Sequence, residues 1–201
     1  SEALKWENNY KVWYPDPKKA GDPLSRLYEE TNTILVENHF DIYRKEEDIQ
    51  YFAYSDIAII GAHGSIHEYD QLFRSMSDGD STRLSSLSLS KLLVGTNIVI
   101  LFVCSGGRLD QDPFTQSSIG LPFELLNQGC RSVIASSYPL DVRVAIIWLE
   151  EFLKNFNEGN TLIKSNYLAN QVVATKLNYN PLHSFALNVY GDPLLTLPNK
   201  G

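Results

Sequence analysis

The chain has 201 residues, of which 43% are hydrophobic and 20% are charged, and its formal net charge is −7. These values are typical of a soluble globular protein of about one domain, and they exclude a disordered chain, a collagen and a disulfide scaffold. An acidic chain without clustered basic residues is not expected to bind nucleic acid directly. The longest unbroken apolar run, Ile98–Cys104, is too short to cross a membrane, so no membrane partner is expected.

The cysteines and the start of the chain bear on metal binding, cellular location and domain organisation. Cys104 and Cys130 are too few and too far apart for a zinc site or a redox dithiol, and no histidine has the spacing of a metal ligand. Free thiols and the lack of a secretory signal pattern favour a cytoplasmic location. Because no initiator Met precedes Ser1, we expect residues 1–201 to form a single domain at the C-terminal part of a longer protein.

Apolar periodicity and turn residues predict strands and helices that alternate along the chain. The predicted elements of the first half are strand Tyr10–Tyr14, helix Leu24–Glu37 with an Asp22-Pro23 cap, strand Phe40–Tyr43, short helix Glu46–Tyr54 and strand Ile57–Ile60. A polar segment, Ser65–Ser90, follows. It is predicted to be a long mobile loop with helical turns near Tyr69–Phe73 and Leu89–Leu93.

The second half continues the alternation. Its predicted elements are strand Ile98–Val103, helix Gly120–Asn127, strand Ser132–Ser136, helices Val142–Asn155 and Leu162–Leu177, and strand Phe185–Tyr190. Strands that alternate with helices imply a parallel sheet covered on both faces. The expected fold class is therefore α/β, with a mostly parallel central sheet of about six strands and helices on both faces.

Two of the predicted strands lead into reactive side chains. His63 follows the strand Ile57–Ile60, and Cys104 directly follows the strand Ile98–Val103. Ligands of parallel sheets bind beyond the carboxyl ends of the strands, so the two side chains can share a substrate if the strands are neighbours. An imidazole can accept the proton of a thiol and later protonate a leaving amine. The backbone N–H groups of Gly64 and Cys104 are the expected donors to the oxyanion.

Other interpretations of these residues are open. A single Cys after an apolar strand is most often a small buried hydrophobe, and a single His before Gly is most often a turn residue. A phosphatase loop needs Arg six residues after the Cys, but position 110 is Asp. Gly106 and Gly107 lack the Lys-Ser or Lys-Thr that completes a phosphate-binding loop. Cys130, at a helix-to-strand junction, is expected to be structural.

Four segments of the chain resemble motifs of one group of enzymes. Ile57–Ser65 (IAIIGAHGS) resembles the His motif of the clan CD cysteine peptidases, which include caspases, separases and gingipains, and Val99–Gly107 (VILFVCSGG) resembles their Cys motif. Ile119–Pro139 and Leu182–Leu195 are similar to segments of the CHAT domain, a caspase-like domain often attached to TPR repeats. The four segments have the family's order, and the chain departs from its pattern at Tyr138 and Val142.

The resemblance implies peptide-bond hydrolysis by a His63–Cys104 dyad, with no metal and no organic cofactor. It also implies a protein substrate and control by a regulatory repeat domain or an activating partner. Two alternatives stay open, namely a catalytically silent caspase-like interaction module and a thiol acyltransferase.

The resemblance also suggests a substrate pocket, formed by Ser137, Tyr138 and Asp141 together with Asp110. Asp141 falls where related peptidases that cut after Arg or Lys have a pocket acid. A buried carboxylate would pair with a basic substrate side chain through charge-assisted hydrogen bonds. The alternative is that Asp141 caps the helix that starts at Val142, which is a common position for Asp.

Overall fold

The computed structural model describes residues 6–15, 21–67, 70–74, 83–103, 110–111, 118–137, 139–180 and 186–198. Their secondary structure is, in chain order, β1 (Tyr10–Trp13), α1 (Pro23–Glu37), β2 (Asp41–Tyr43), a 3₁₀ helix (Glu46–Tyr51), β3 (Ile57–His67), β4 (Asp70–Arg74), β5 (Arg83–Ser85), α2 (Ser86–Leu92), β6 (Ile98–Val103), β7 (Asp110–Gln111), β8 (Ser118–Ile119), α3 (Leu121–Asn127), β9 (Ser132–Ala135), α4 (Val142–Asn157), α5 (Leu162–Lys176) and β10 (Asn188–Gly191).

The central sheet has the strand order β10-β9-β6-β3-β1-β2. All neighbours on this path are parallel except β10, which is antiparallel to β9. A connection with one helix brings the chain back to the end of the sheet at which the previous strand started, so the next strand is parallel. Strands β9 and β10 are instead joined by the two packed helices α4 and α5, and β10 therefore runs antiparallel to β9. The predicted α/β class, with a mostly parallel sheet of about six strands, is confirmed.

Side-chain alternation along the buried strands divides the core into two layers. One layer packs against α1, α4 and α5, and its buried strand residues are Val12, Ile57, Ile59, Ile98, Ile100, Phe102 and Ile134. The other packs against the 3₁₀ helix, α2 and α3, and its buried strand residues are Trp13, Ala58, Ile60, Ala62, Val99, Leu101, Val103, Val133 and Ala135. Helices on both faces follow from strands that are buried on both sides.

Side-chain caps fix where the main helices begin. Asp22 caps α1, with Pro23 in the first turn, and Asp141 caps α4. Thr161 caps α5 by accepting a hydrogen bond from the backbone N–H of Lys164. Each cap satisfies a backbone donor that the helix itself leaves without a partner. The predicted start of helix α1 behind Asp22-Pro23 is confirmed.

The prediction of a loop over Ser65–Ser90 is wrong for the described part of this segment. Strand β3 continues through His63 to His67 and pairs antiparallel with β4, which pairs with β5. The predicted helical turn near Tyr69–Phe73 is also wrong, since Asp70–Arg74 is a strand, whereas residues 89–92 are helical in α2. The loop prediction relied on polar composition, but backbone hydrogen bonds can form a ribbon without an apolar face.

Two smaller differences concern element ends. The helix predicted over Glu46–Tyr54 is a 3₁₀ helix that stops at Tyr51, and it buries only Ile49 within its span. The last strand begins at Asn188 rather than Phe185, which lies outside the described residues. Neither difference changes the order of the sheet.

The Gly-Asp-Pro segment closes the last strand for a steric reason. Gly191 has φ +92°, and a Cβ at this position would lie 2.2 Å from the carbonyl oxygen of Arg131. The next residue, Asp192, donates its backbone N–H to that same carbonyl oxygen at 3.0 Å. Only glycine combines this backbone conformation with so close an approach, so the segment holds β10 against the start of β9.

Candidate active site

His63 lies where the parallel part of the sheet ends. The last pair of the β3–β6 ladder is Ala62 opposite Val103, and His63 is the next residue along β3. By alternation its side chain is on the same face as Ile57 and Ile59, the face that α1 covers. The His63 side chain is 42% exposed. The imidazole is therefore at the carboxyl-end rim of the sheet and accessible to a substrate.

The carboxylate of Asp22 is hydrogen-bonded to this imidazole. Nε2 of His63 is 2.9 Å from Oδ2 of Asp22 and 3.1 Å from Oδ1. The Asp22 side chain is only 10% exposed. Oδ1 of Asp22 also accepts the backbone N–H of Leu24 at 3.0 Å, as the cap of α1. The helix therefore fixes the carboxylate, and the carboxylate fixes the ring.

The hydrogen bond also determines which ring nitrogen can act as a base. With Nε2–H donating to Asp22, the neutral imidazole has its lone pair on Nδ1. This assignment follows from the hydrogen-bond network. Nδ1 is thus the atom of His63 that can accept a proton, while the Asp22 carboxylate holds the ring at its other nitrogen.

In the sequence Asp22 is recognisable only as a helix cap, because it is 41 positions away from His63 in the chain. The order of the strands could have indicated that Asp22 lies near His63. Strand β1 is the neighbour of β3, so the segment that connects β1 to α1 starts at the same rim as His63. An acidic residue after the first strand was therefore a candidate partner for a rim histidine.

The remaining predicted catalytic residue, Cys104, lies outside the described residues, as does Tyr138 of the predicted substrate pocket. Val103, which precedes Cys104, is fully buried and opposite Ala62. Gly64, a predicted oxyanion donor, lies in β3 opposite Phe73 of β4.

Ser137 and Asp110 occupy different surroundings. The half-buried Ser137 hydroxyl lies 3.2 Å from the hydroxyl of Tyr190 on β10. Asp110 is in the short strand β7, opposite Ile119 of β8. Nothing described brings either residue to His63, and their predicted contact with substrate stays a prediction.

Asp141 occupies the capping position that the sequence left open as an alternative. Its Oδ1 accepts the backbone N–H of Arg143 at 2.8 Å, and its Oδ2 is 2.6 Å from the Arg143 guanidinium. It also lines an open groove of about 660 Å³ between the starts of α1 and α4, together with Asp22. The groove brings Asp141 near the site, but its charge is compensated by Arg143, and its role in substrate binding stays a prediction.

Cys130 is a structural thiol, as expected. It is 5% exposed, and its Sγ donates to the carbonyl oxygen of Leu93 at 3.2 Å. Burial raises the pKa of the Cys130 thiol to about 12. A thiol with such a pKa forms almost no thiolate near neutral pH, so Cys130 is a poor nucleophile.

Two kinds of feature are absent from the described part of the chain. No group of three or more His, Cys, Asp or Glu side chains there is arranged to hold a metal ion. Likewise, none of the helices in those residue ranges has the length and apolar character needed to span a membrane.

The chain is similar to known proteins in structure but not in sequence. No family model and no curated protein matches the chain. Two crystal structures of the Saccharomyces cerevisiae separase–securin complex do match, with TM-scores of 0.59 and 0.56 and 15% identity, covering 95% and 90% of this chain and 12% of the other. The Arg-specific cysteine proteinase gingipain R matches with a TM-score of 0.61 and 13% identity, covering 94% of this chain and 48% of its own.

These likenesses define the fold. The sheet order and the helix layers are those of a caspase-like α/β protein, the fold of the clan CD cysteine peptidases separase and gingipain. The chain spans 12% of the separase chain and 48% of the gingipain chain, so it corresponds to one part of each.

Proposed function

We propose that this protein is a cysteine endopeptidase that cleaves a specific protein partner, with Cys104 as nucleophile and His63 as general base and acid. The observation that carries the proposal is the register of the two central strands. Ala62 is opposite Val103, so His63 and Cys104 are the residues that directly follow the last pair of the parallel ladder. The caspase-like fold and the position of His63 at the rim of the sheet support peptidase chemistry.

Side-chain alternation supports the same pairing. Ile98, Ile100 and Phe102 of β6 face the α1 layer, whereas Val99, Leu101 and Val103 face the opposite layer. In the sequence, Cys104 continues the alternate positions 98, 100 and 102 of β6, and His63 continues the alternate positions 57 and 59 of β3. Continuation of the strand by one residue would put the thiol and the imidazole on one face.

The proposed reaction has two stages. Nδ1 of His63 accepts the Sγ proton of Cys104, and the thiolate attacks the carbonyl carbon of the scissile peptide bond. The carbonyl oxygen becomes an oxyanion, for which the backbone N–H groups of Gly64 and Cys104 are the proposed donors. The C–N bond breaks, the leaving amine takes the proton from His63, and a thioester remains.

In the second stage His63 accepts a proton from water, and the resulting hydroxide attacks the thioester carbon. The C–S bond breaks, the acid product leaves, and Cys104 regains its proton. Asp22 acts in both stages as a positioning residue, because it accepts the hydrogen bond from Nε2 and so fixes the orientation of the ring. No metal or organic cofactor is required.

The protein partner and the regulation belong to the same proposal. The order of the four motifs supports the proposal that this chain is a CHAT domain. Its activity would then be regulated by an attached repeat domain or by an activating partner. The proposed location is the cytoplasm. A relative of the same fold, the separase of S. cerevisiae, forms a complex with the protein securin. Control by protein contact is therefore consistent with this fold.

Hydrolysis of a fluorogenic peptide library tests the proposal, and Asp22 provides the sharpest variant. The wild type should hydrolyse part of the library, and Asp22→Ala should lower kcat by about 10- to 100-fold with little change in KM, because the imidazole then lacks the hydrogen bond that orients it. Hydrolysis by His63→Ala at the wild-type rate would contradict the peptidase proposal.

A matched variant separates catalysis from capping. Serine caps helices nearly as well as aspartate, so Asp22→Ser should keep the melting temperature close to that of the wild type. It cannot supply a negative charge to His63, so its kcat should fall as far as that of Asp22→Ala. A kcat equal to the wild-type value in Asp22→Ser would show that the Asp22–His63 pair has only a structural role.

A further inference from the structure

A cavity of about 120 Å³ lies directly beside His63. Three of its lining residues are almost fully buried, namely Leu27 of α1, Phe102 of β6 and Ala145 of α4, each no more than 2% exposed. Three more lining residues are apolar and half-buried, namely Leu24, Leu140 and Val142. Among the residues that the structure describes, every lining side chain except His63 is apolar.

An apolar space of this size is unusual in a well-packed protein. Interiors are packed as densely as organic crystals, and a void removes dispersion contacts from the atoms around it. An engineered apolar cavity of about 150 Å³ stays dry and binds benzene. A cavity of similar size whose outer side chains are half-buried is therefore suited to an apolar group that enters from outside.

The position of His63 relates the cavity to the reaction. The imidazole is one wall of the cavity, and both are on the sheet face that α1 and α4 cover. A side chain inserted into the cavity would bring its own backbone to the imidazole. We propose that the cavity is the specificity pocket for the substrate residue whose carbonyl is attacked, and that it selects an unbranched or branched aliphatic side chain of the size of Met or Leu.

This inference rests on the proposed function and specifies its substrate class. An unpaired charge in the cavity would lose its hydration without a partner, which disfavours Arg and Asp. Two carboxylates of the neighbouring groove are already paired, since Asp22 contacts His63 and the Leu24 amide, and Asp141 contacts Arg143. Asp141 lines the neighbouring open groove and is not part of the cavity wall.

Peptidyl acyloxymethyl ketones that differ only at the residue next to the ketone test the pocket. In the labelling reaction the Cys104 thiolate forms a bond to the methylene carbon, and the C–O bond to the carboxylate leaving group breaks. The rate of Cys104 modification is followed by mass spectrometry of the intact chain. Leu or Met at this position should react at least about 10-fold faster than Ala, Arg or Asp, since each methylene in an apolar pocket is worth about 10-fold or more.

Two substitutions change the cavity in opposite directions. Ala145→Val adds two methyl groups to the buried wall and should lower the rate of the Leu reagent relative to the Ala reagent by about 10-fold. Val142→Ala widens the cavity at a half-buried position and should raise the rate of the Phe reagent relative to the Leu reagent. This variant provides the test if thermal unfolding shows that Ala145→Val is misfolded. Ile146→Ala is the control, because Ile146 is half-buried on the same helix outside the cavity wall.

The outcomes separate this inference from the proposed function. Labelling of Cys104 that is fastest with Arg or Asp, or equal with all reagents, would overturn the aliphatic pocket and leave the peptidase proposal standing. An unchanged ranking in folded Ala145→Val and Val142→Ala would also overturn it. No labelling of Cys104 by any reagent would overturn both.

Discussion

Cys104→Ala should abolish peptide cleavage while the protein stays folded. Removal of a covalent nucleophile eliminates the thioester route and should lower kcat by at least about 1,000-fold. The far-UV circular dichroism spectrum should match that of the wild type, because the change replaces one small side chain and leaves the buried apolar residues of the strands in place. Hydrolysis of the fluorogenic library by both proteins at equal concentration measures the effect.

Cys130→Ala is the matched control for this prediction. Its thiol is buried and donates to Leu93, so the substitution should lower the free energy of unfolding by about 1 kcal/mol and leave kcat unchanged. Cleavage by Cys104→Ala at the wild-type rate, or loss of cleavage in folded Cys130→Ala, would mean that the nucleophile has been misassigned.

The largest effect on stability is expected at Asp56, which joins three segments of the chain. Asp56 is 3% exposed. Its Oδ2 accepts the backbone N–H groups of Glu7 at 2.7 Å and Asn9 at 3.0 Å, and its Oδ1 accepts from Nδ2 of Asn97 at 2.9 Å. The carboxylate thus ties the segment before β1 to the starts of β3 and β6.

Asp56→Ala should lower the free energy of unfolding by about 3–5 kcal/mol, because three charge-assisted hydrogen bonds are lost and their donors remain partly buried. Urea denaturation followed by tryptophan fluorescence measures the change. Asp41→Ala is the control, since Asp41 is exposed at the start of β2, and its effect should stay within about 0.5 kcal/mol. A difference of less than about 1 kcal/mol between Asp56→Ala and the wild type would contradict this account.

Local patterns predicted the central strands and the main helices well. The run Ile98–Val103 is apolar throughout and rich in β-branched residues, and the structure buries all six side chains in β6. The Asp22-Pro23 pair marked the start of α1, because capping is decided by residues that are close in sequence. These signals were enough to predict the α/β class and the position of His63 at the rim of the sheet.

Features that depend on distant residues were not predicted. The pairing of β3 with β4 is decided by backbone hydrogen bonds between segments whose polar composition is typical of a loop. The contact between Asp22 and His63 joins residues 41 positions apart, so no local pattern contains it. The cavity beside His63 arises from α1, β6 and α4 together, and its volume depends on how closely these elements pack.

The central claim is that His63 activates Cys104, and covalent labelling tests it most directly. A peptidyl acyloxymethyl ketone with Leu next to the ketone is incubated with the wild type and with His63→Ala, and the modified cysteine is located by mass spectrometry after digestion. We expect labelling of Cys104 and not of Cys130 in the wild type, and a rate at least about 100-fold lower in His63→Ala, because the thiol then lacks its base. Equal labelling of Cys104 in the two proteins, or labelling of Cys130 instead, would contradict the claim.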